Sequence, residues 1–267
     1  MKKTGIPYAT VSFNPFVGCA GCELGEACWA IGMARRQKYA AQVLTEDRKR
    51  WNGKVIAFDE RFDEPYSWRD PQVVATCFMG DVARATGRMV RGLFSTMKKT
   101  PQHQFMVLTK DPVGLLDHLR PRQQGPTWMV SDWCSGSYRV DRLNNVWLGV
   151  TATDQRTYDS RVSVLCDPQT GWPGNKWLSC EPMLGPINGG SFLTECLKWC
   201  IIGCASGPQR QPMEDAWAEG LVEQCLKAQV PVYYKQQEVN GKVIHGPAIN
   251  GKQYLQYPPT IGKLKGA

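Results

Sequence analysis

Long apolar runs are missing from this chain. No stretch of about 18 apolar residues occurs, and the opening residues Met1–Phe13 lack the apolar core of a secretory signal. The expectation is a protein with no membrane partner, working in the cytoplasm. Cysteines at disulfide-framework spacings are also missing. There are eleven, an odd count, and most sit inside apolar strand-like runs. That pattern argues against a secreted disulfide scaffold and for reduced thiols, some gathered on a metal cluster. Internal repeats and low-complexity tracts are absent as well. Acidic residues are the minority charge, 24 against 32 Lys and Arg for a net charge of +8, which suits a polyanionic partner or simple solubility.

The most distinctive stretch lies near the start. Cys19, Cys22 and Cys28 follow the pattern C-x2-C-x5-C in a loop rich in Gly and Ala, and the chain then enters a helix-like segment, Ala27–Ala41. Three thiolates on a short flexible loop can converge on one point, and soft sulfur ligands select zinc or an iron–sulfur cluster. Three protein ligands leave one coordination position open, whereas a structural zinc site wants four. Spacing alone leaves three readings: a cluster with an open iron, a zinc loop with its fourth ligand elsewhere, and a disulfide with a free thiol.

Beyond the loop, short apolar runs alternate with helix-like stretches. Strand candidates are Ile6–Phe13, Val73–Met79, Phe105–Thr109, Val146–Thr151, Lys176–Cys180, Trp199–Gly203 and Val232–Lys235. Helical patterns lie at Met89–Lys98, Val113–Leu119, Asp154–Leu165 and Glu214–Ala228. Such alternation predicts an α/β fold with a parallel sheet, a partial β/α barrel of about six units spanning residues 1–237, with a doubly wound sheet as the competitor. Residues 45–72 and 120–144 read as insertions. Residues 238–267 read as a tail with a hairpin over Val239–Ile244.

In a parallel barrel the carboxyl ends of the strands form the active face. Polar residues follow the apolar runs at Gly80-Asp81, Lys110, Thr151 and Thr153, Glu181, Ser206, and Lys235-Gln236. Asp81 alternatively caps the next helix. Cys77, Cys180, Cys200 and Cys204 read as small core residues.

These motifs, in this order, resemble the phage-borne three-Cys-motif proteins, a radical-SAM-like family. The likeness rests on Asn14-Pro15, Gly18-Cys19, Cys28-Trp29-Ala30, Met79-Gly80-Asp81, Val107-Leu108-Thr109-Lys110 and Val146-Trp147-Leu148-Gly149-Val150. It continues through Ser179–Pro186, Ser206-Gly207-Pro208 with Arg210, Pro212 and Met213, and Tyr234-Lys235-Gln236. The chain departs from that family in the order of its cysteine gaps, in Ala205 where a Glu is usual, and in Gln237-Glu238 where Trp-Gly is usual.

The resemblance implies a partial (β/α)6-type radical-SAM barrel whose cofactors are a 4Fe–4S cluster on Cys19, Cys22 and Cys28 and S-adenosylmethionine on the open iron. A 5′-deoxyadenosyl radical would then abstract a hydrogen from substrate. Trp29 would shield the cluster and face the adenine. Gly80, Asp81, Lys110, Thr151 and Thr153 would hold S-adenosylmethionine, and Ser206 its methionine end or the substrate. Glu181 and Lys235 would be catalytic, with Asn14 and Gln236 on the substrate, and Glu181, Lys235 and Gln236 would face the substrate or the methionine carboxylate. An electron donor such as flavodoxin or ferredoxin is implied. A pyrimidine base of phage DNA in the host cytoplasm is the expected substrate, flipped from the duplex. Aromatic and basic residues of the two insertions (Trp51, Tyr66, Trp68, Trp128, Trp133; Arg48, Lys49, Arg50, Arg120, Arg122) would stack on bases and meet phosphates, or else pack a long loop. The competing reading is a zinc- or cluster-stabilised nucleic-acid-binding or host-interaction protein without catalysis. A third is radical chemistry on a protein or metabolite.

Overall fold

The computed structural model describes residues 4–119, 129–132, 136–139, 143–169, 171–207 and 210–266. The chain divides into two compact units, Met1–Trp147 and Leu148–Ala267. Both are α/β and mostly parallel, as the strand–helix alternation predicts.

In the first unit, β1 (Val11–Phe13) pairs in parallel with β2 (Val73–Thr76), and β2 with β3 (Gln104–Thr109). The next strand, β4 (Val146–Thr151), begins here. The amide of Phe105 reaches the carbonyl of Asn145 at 2.8 Å, and the Trp147 indole donates to Gln104 Oε1 at 3.0 Å. Every residue of β2 and β4 is buried, the near-continuous apolar character expected of strands covered on both faces. Helix α1 (Trp29–Ala34) follows the cysteine loop. Helix α2 (Gly87–Lys99) starts at Thr86, whose hydroxyl accepts from the Met89 amide, and buries Val90, Leu93, Phe94 and Met97 at 3–4-residue spacing. Helix α3 spans Pro112–Leu119.

In the second unit, β4 ends at Thr151 and is followed by β5 (Asn175–Cys180), β6 (Cys200–Gly203) and β7 (Val232–Val239). The pairs β5–β6 and β6–β7 are parallel, and β8 (Lys242–His245) returns antiparallel to β7. Helix α4 (Gln155–Cys166) opens with a capping box, Asp154 accepting from the Thr157 amide while the Thr157 hydroxyl receives the Asp154 amide. Helix α5 (Asp215–Lys227) buries Ala218, Leu221, Val222 and Cys225.

Several expectations need correction. The helix predicted over Ala27–Ala41 stops at Ala34. Residues 35–39 turn, with Gln37 and Ala40 donating three residues back, and a second short helix covers Ala40–Val43. Arg35 spends its Nε on the Arg48 carbonyl, 2.7 Å away, in the connection after that helix. Glu238, where the tail was expected to begin, lies inside β7, because the hairpin extends the strand to Val239. The 45–72 insertion is ordered by packing. Trp51 is buried with Ile31, Val43 and Leu44, and Trp68 sits edge-on to His103 and Phe13, so neither indole is presented for stacking on a base. Tyr66 is exposed. In the second insertion, Met129–Asp132 and Gly136–Arg139 form an antiparallel pair. Arg120, Arg122, Trp128, Trp133 and Cys134 lie outside the described residues, as does Pro208.

Reduced thiols were expected throughout, yet Cys166 at the end of α4 and Cys196 after the short helix Gly190–Glu195 form a disulfide, their Cα atoms 6.0 Å apart. Cys77, Cys180, Cys200 and Cys204 are buried, as core cysteines are. Among the described residues no helix is long and apolar enough to cross a membrane.

Candidate functional site: a cysteine loop and an ion pair at strand ends

In the first unit the cysteine loop is fastened, mainly through backbone, to the segment that follows β2. Gly18 forms a parallel bridge with Gly80, and its amide reaches the Met79 carbonyl at 3.2 Å. Glycine is required on both sides. Gly18 has φ of +119°, and a Cβ there would fall 2.1 Å from the Lys54 carbonyl oxygen. A Cβ on Gly80 would fall 2.3 Å from the Gly18 oxygen. The Gly53 amide adds a bond to the Cys19 carbonyl at 3.2 Å. Asn14 ties the same corner, its side-chain oxygen accepting the Met79 amide at 3.1 Å.

The three thiols are half-buried. Burial is the largest influence on Cys19, whose pKa is pushed up to about 11, with Asp81, Cys22 and Cys28 adding to the rise and a backbone hydrogen bond at Gly21 opposing it. Burial also raises Cys22, and the nearby Lys110 ammonium pulls it back down. The thiols therefore feel one another, although among the described residues no three His, Cys, Asp or Glu side chains are gathered closely enough to hold a metal ion. The donor set itself, three thiols on one glycine-fastened loop beside a lysine, fits a soft metal or cluster. Trp29, the residue after Cys28, is 44% exposed, as is its neighbour one turn on, Met33, at 42%.

Asp81 is consumed by the fold. Its Oδ1 accepts from the Ala83 amide at 3.0 Å and the Thr109 hydroxyl at 2.6 Å, and its Oδ2 accepts from the Lys110 amide at 2.8 Å. It caps the short turn Val82–Arg84, the alternative role the sequence left open, and it also locks the end of β3 to the end of β2. Lys110 is thereby held at the strand end by its own backbone. Thr109, the partner that makes this latch, looked in the sequence like one more strand residue.

In the second unit, Thr151 and Thr153 are buried. The Thr151 carbonyl accepts from Arg161 Nη1 at 2.8 Å, and Thr153 donates its amide to Thr157 Oγ1 at 2.8 Å while its carbonyl accepts from the Leu184 amide at 2.6 Å. Both brace the start of α4. Ser206 is exposed in the connection after β6. Gln236 is buried and donates to the Cys204 carbonyl at 2.8 Å.

Glu181 and Lys235 do come together. Lys235 Nζ lies 2.6 Å from Glu181 Oε1, with the side chains 19% and 12% exposed. Glu181 stands one residue beyond β5 and Lys235 lies on β7, so the pair spans the intervening strand β6. Ser179 adds a weak contact to Glu181 Oε2 at 3.4 Å.

The chain belongs to a family described as "Protein of unknown function (DUF5131)", which it matches over residues 3–258. No curated protein and no solved structure matches it.

Proposed function

We propose that the protein is a radical S-adenosylmethionine enzyme, built as a partial barrel, with Cys19, Cys22 and Cys28 as ligands of a 4Fe–4S cluster. The observation that carries this reading is the attachment of a three-thiol loop, through the Gly18–Gly80 contact, to the carboxyl end of a parallel strand beside Lys110. Carboxyl ends of parallel strands are where such folds bind ligands. When bound, the reduced cluster supplies the electron that splits S-adenosylmethionine into methionine and a 5′-deoxyadenosyl radical.

The chain's own groups take supporting parts. Lys110 places a positive charge by the loop, which favours thiolate over thiol at Cys22. Asp81 acts on Lys110 through the backbone and is a positioning residue. Trp29, exposed on the helix that leaves the loop, is free to fold over a nucleoside. Glu181 and Lys235 are the charged pair proposed to meet substrate, with Gln236 fixing the turn of the strand beside them.

For the substrate we propose a pyrimidine base in phage DNA. The exposed Arg35, Arg36, Lys38, Arg48, Lys49 and Arg50 around the loop supply positive charge for phosphates, and an acidic electron donor would meet the same charges. The test is anaerobic reconstitution. Bound iron and sulfide, with release of 5′-deoxyadenosine that needs S-adenosylmethionine and is lost in Cys28→Ala, is the expected result. A colourless protein with stoichiometric zinc, or cleavage retained in Cys28→Ala, overturns it. Salt-dependent binding of a DNA duplex tests the substrate separately.

A further inference from the structure

The joined cysteines differ in place from the free ones. Among the described residues eight cysteines are free thiols, and Cys166 and Cys196 form the disulfide. The second unit's other four, Cys180, Cys200, Cys204 and Cys225, are buried. Cys166 and Cys196 are both partly exposed, Cys166 as the last residue of α4 and Cys196 directly after the short helix Gly190–Glu195. A small thiol therefore has access to this bond, and exposed disulfides are the labile ones. Surroundings reducing enough to keep eight thiols free act on this bond as well.

The elements that the bond joins are also held without it. Gln155, Tyr158, Val162 and Cys166 recur at three- or four-residue spacing and share one face of α4. Gln155 Nε2 donates to the Asn188 carbonyl at 3.2 Å, and Gln155 Oε1 accepts the Asn188 amide at 2.6 Å. One turn on, the Tyr158 hydroxyl donates to the Gly189 carbonyl at 2.7 Å, and its ring lies 6.4 Å from that of Phe192. Gln224 of α5 holds the same segment, accepting the Gly189 amide at 2.8 Å and donating to the Ile187 carbonyl at 3.0 Å. Leu193 and Leu197, before and after Cys196, are buried. These contacts do not depend on the S–S bond. They keep the two cysteines facing one another when it is cut, so it can reclose without refolding. What the bond adds is a constraint on the unfolded chain, since it links residues 30 apart and encloses β5 and Glu181.

We propose that Cys166 and Cys196 form a redox-responsive thiol–disulfide site that sets the stability of the second unit without changing its fold. Small thiols of the glutathione class open it, and the corresponding small disulfide recloses it. In opening, one small thiolate attacks a sulfur of the bond, giving a mixed disulfide and freeing the other cysteine. A second thiolate attacks the mixed disulfide and releases the small disulfide and the remaining cysteine. Two electrons pass from the small thiols to the protein, and two protons end on Cys166 and Cys196.

The test equilibrates the native full-length protein with reduced or oxidised glutathione, then applies a maleimide pulse and locates the label by peptide mass spectrometry. Labelling of Cys166 and Cys196 together in the reduced buffer and of neither in the oxidised one is expected, with Cys180, Cys200 and Cys225 unlabelled in both. The far-UV circular dichroism should stay the same, while Tm falls by several degrees on reduction. Cys166→Ser/Cys196→Ser should fold, with the Tm of the reduced wild type in both buffers. Labelling that needs denaturant would make the bond a permanent one, and no bond in oxidised glutathione would remove the site. Loss of the dichroism on reduction, or a redox-dependent Tm retained in the double variant, also overturns the proposal. Iron uptake plays no part in any of these outcomes, so the site stands or falls apart from the radical reading.

Discussion

The cysteine loop of the first unit and the ion pair of the second both stand at the carboxyl ends of parallel strands, and they are built in opposite ways. The loop is held mainly by backbone on backbone, glycine against glycine, and its thiols are left half-buried, with burial raising the pKa values of Cys19 and Cys22. Asp81, the carboxylate next to Gly80 where the loop is fastened, accepts from three internal donors. The ion pair inverts each point. There the backbone gives way, through a bulge and a glycine, so that two side chains can satisfy each other. The difference separates a place where side chains are left half-buried on a fixed backbone from one where two side chains meet each other.

The sharpest way to break this contrast is to add the same methyl group to both. In Gly80→Ala the new Cβ meets carbonyl oxygen and amide of Gly18, which can yield only if the loop moves. Overpacking costs about 1–3 kcal/mol, and backbone that cannot repack puts this case at the upper end. A lower Tm and a several-fold loss of iron taken up on reconstitution are expected. Gly203→Ala meets the flexible side chains of Gln236 and Glu181 at 3.2 and 3.3 Å, and is expected to cost under about 1 kcal/mol and leave iron uptake unchanged. Equal losses at both positions would erase the distinction between a backbone-built and a side-chain-built site.

A smaller effect tests whether Asp81 belongs to the fold or to the ligand. Asp81→Ala strands the Thr109 hydroxyl and the amides of Ala83 and Lys110, and leaving buried donors unpaired costs about 1–3 kcal/mol. Denaturant unfolding of the protein without cofactor should show this loss in full. Unchanged stability, with only cofactor affinity reduced, would return Asp81 to the role of ligand.

Strands and helices were largely legible because local pattern decides them. The buried strands β2 and β4 are apolar along their length, and Val90, Leu93, Phe94 and Met97 recur at helical spacing. The strand-end rule brought Glu181 and Lys235 to the same list, and they do pair. What stayed illegible depends on register and on long-range backbone contact. The bulge that turns Lys235 is a one-residue slip between strands that begin about thirty residues apart. Gly18 and Gly80 meet across 62 residues, and the sequence signals only two glycines. The full set of partners of Asp81 was hidden for a related reason: the hydroxyl that reaches it belongs to Thr109, 28 residues on. For Trp51 and Trp68 the sequence left base stacking and loop packing both open, because polar neighbours surround them in the chain, whereas their neighbours in space are apolar or aromatic.

The smallest expected effect concerns how the first unit holds the turn Asp59–Ser67 near β3. His103 does it from a fully buried position. Its Nδ1 accepts the Gln72 amide at 3.2 Å, which leaves the proton on Nε2 to be donated to the Pro65 carbonyl at 3.1 Å, and Trp68 closes over the ring. The bond from the Gln72 amide needs neutral imidazole, since a second proton would turn Nδ1 into a donor facing a donor. Burial lowers the His103 pKa below its usual value, the hydrogen bond to Pro65 partly opposing it. With the folded value depressed, the unfolded chain binds the proton first. The contribution is therefore complete above about pH 6.5 and is lost as pH falls below it towards the folded pKa. Thermal unfolding between pH 7.5 and 5.5 should show the wild type losing stability on acidification more steeply than His103→Phe. The variant keeps the ring contacts and sheds the titration. Equal slopes would place the acid sensitivity elsewhere, and the first unit would then rest on its backbone latches without a contribution from this imidazole.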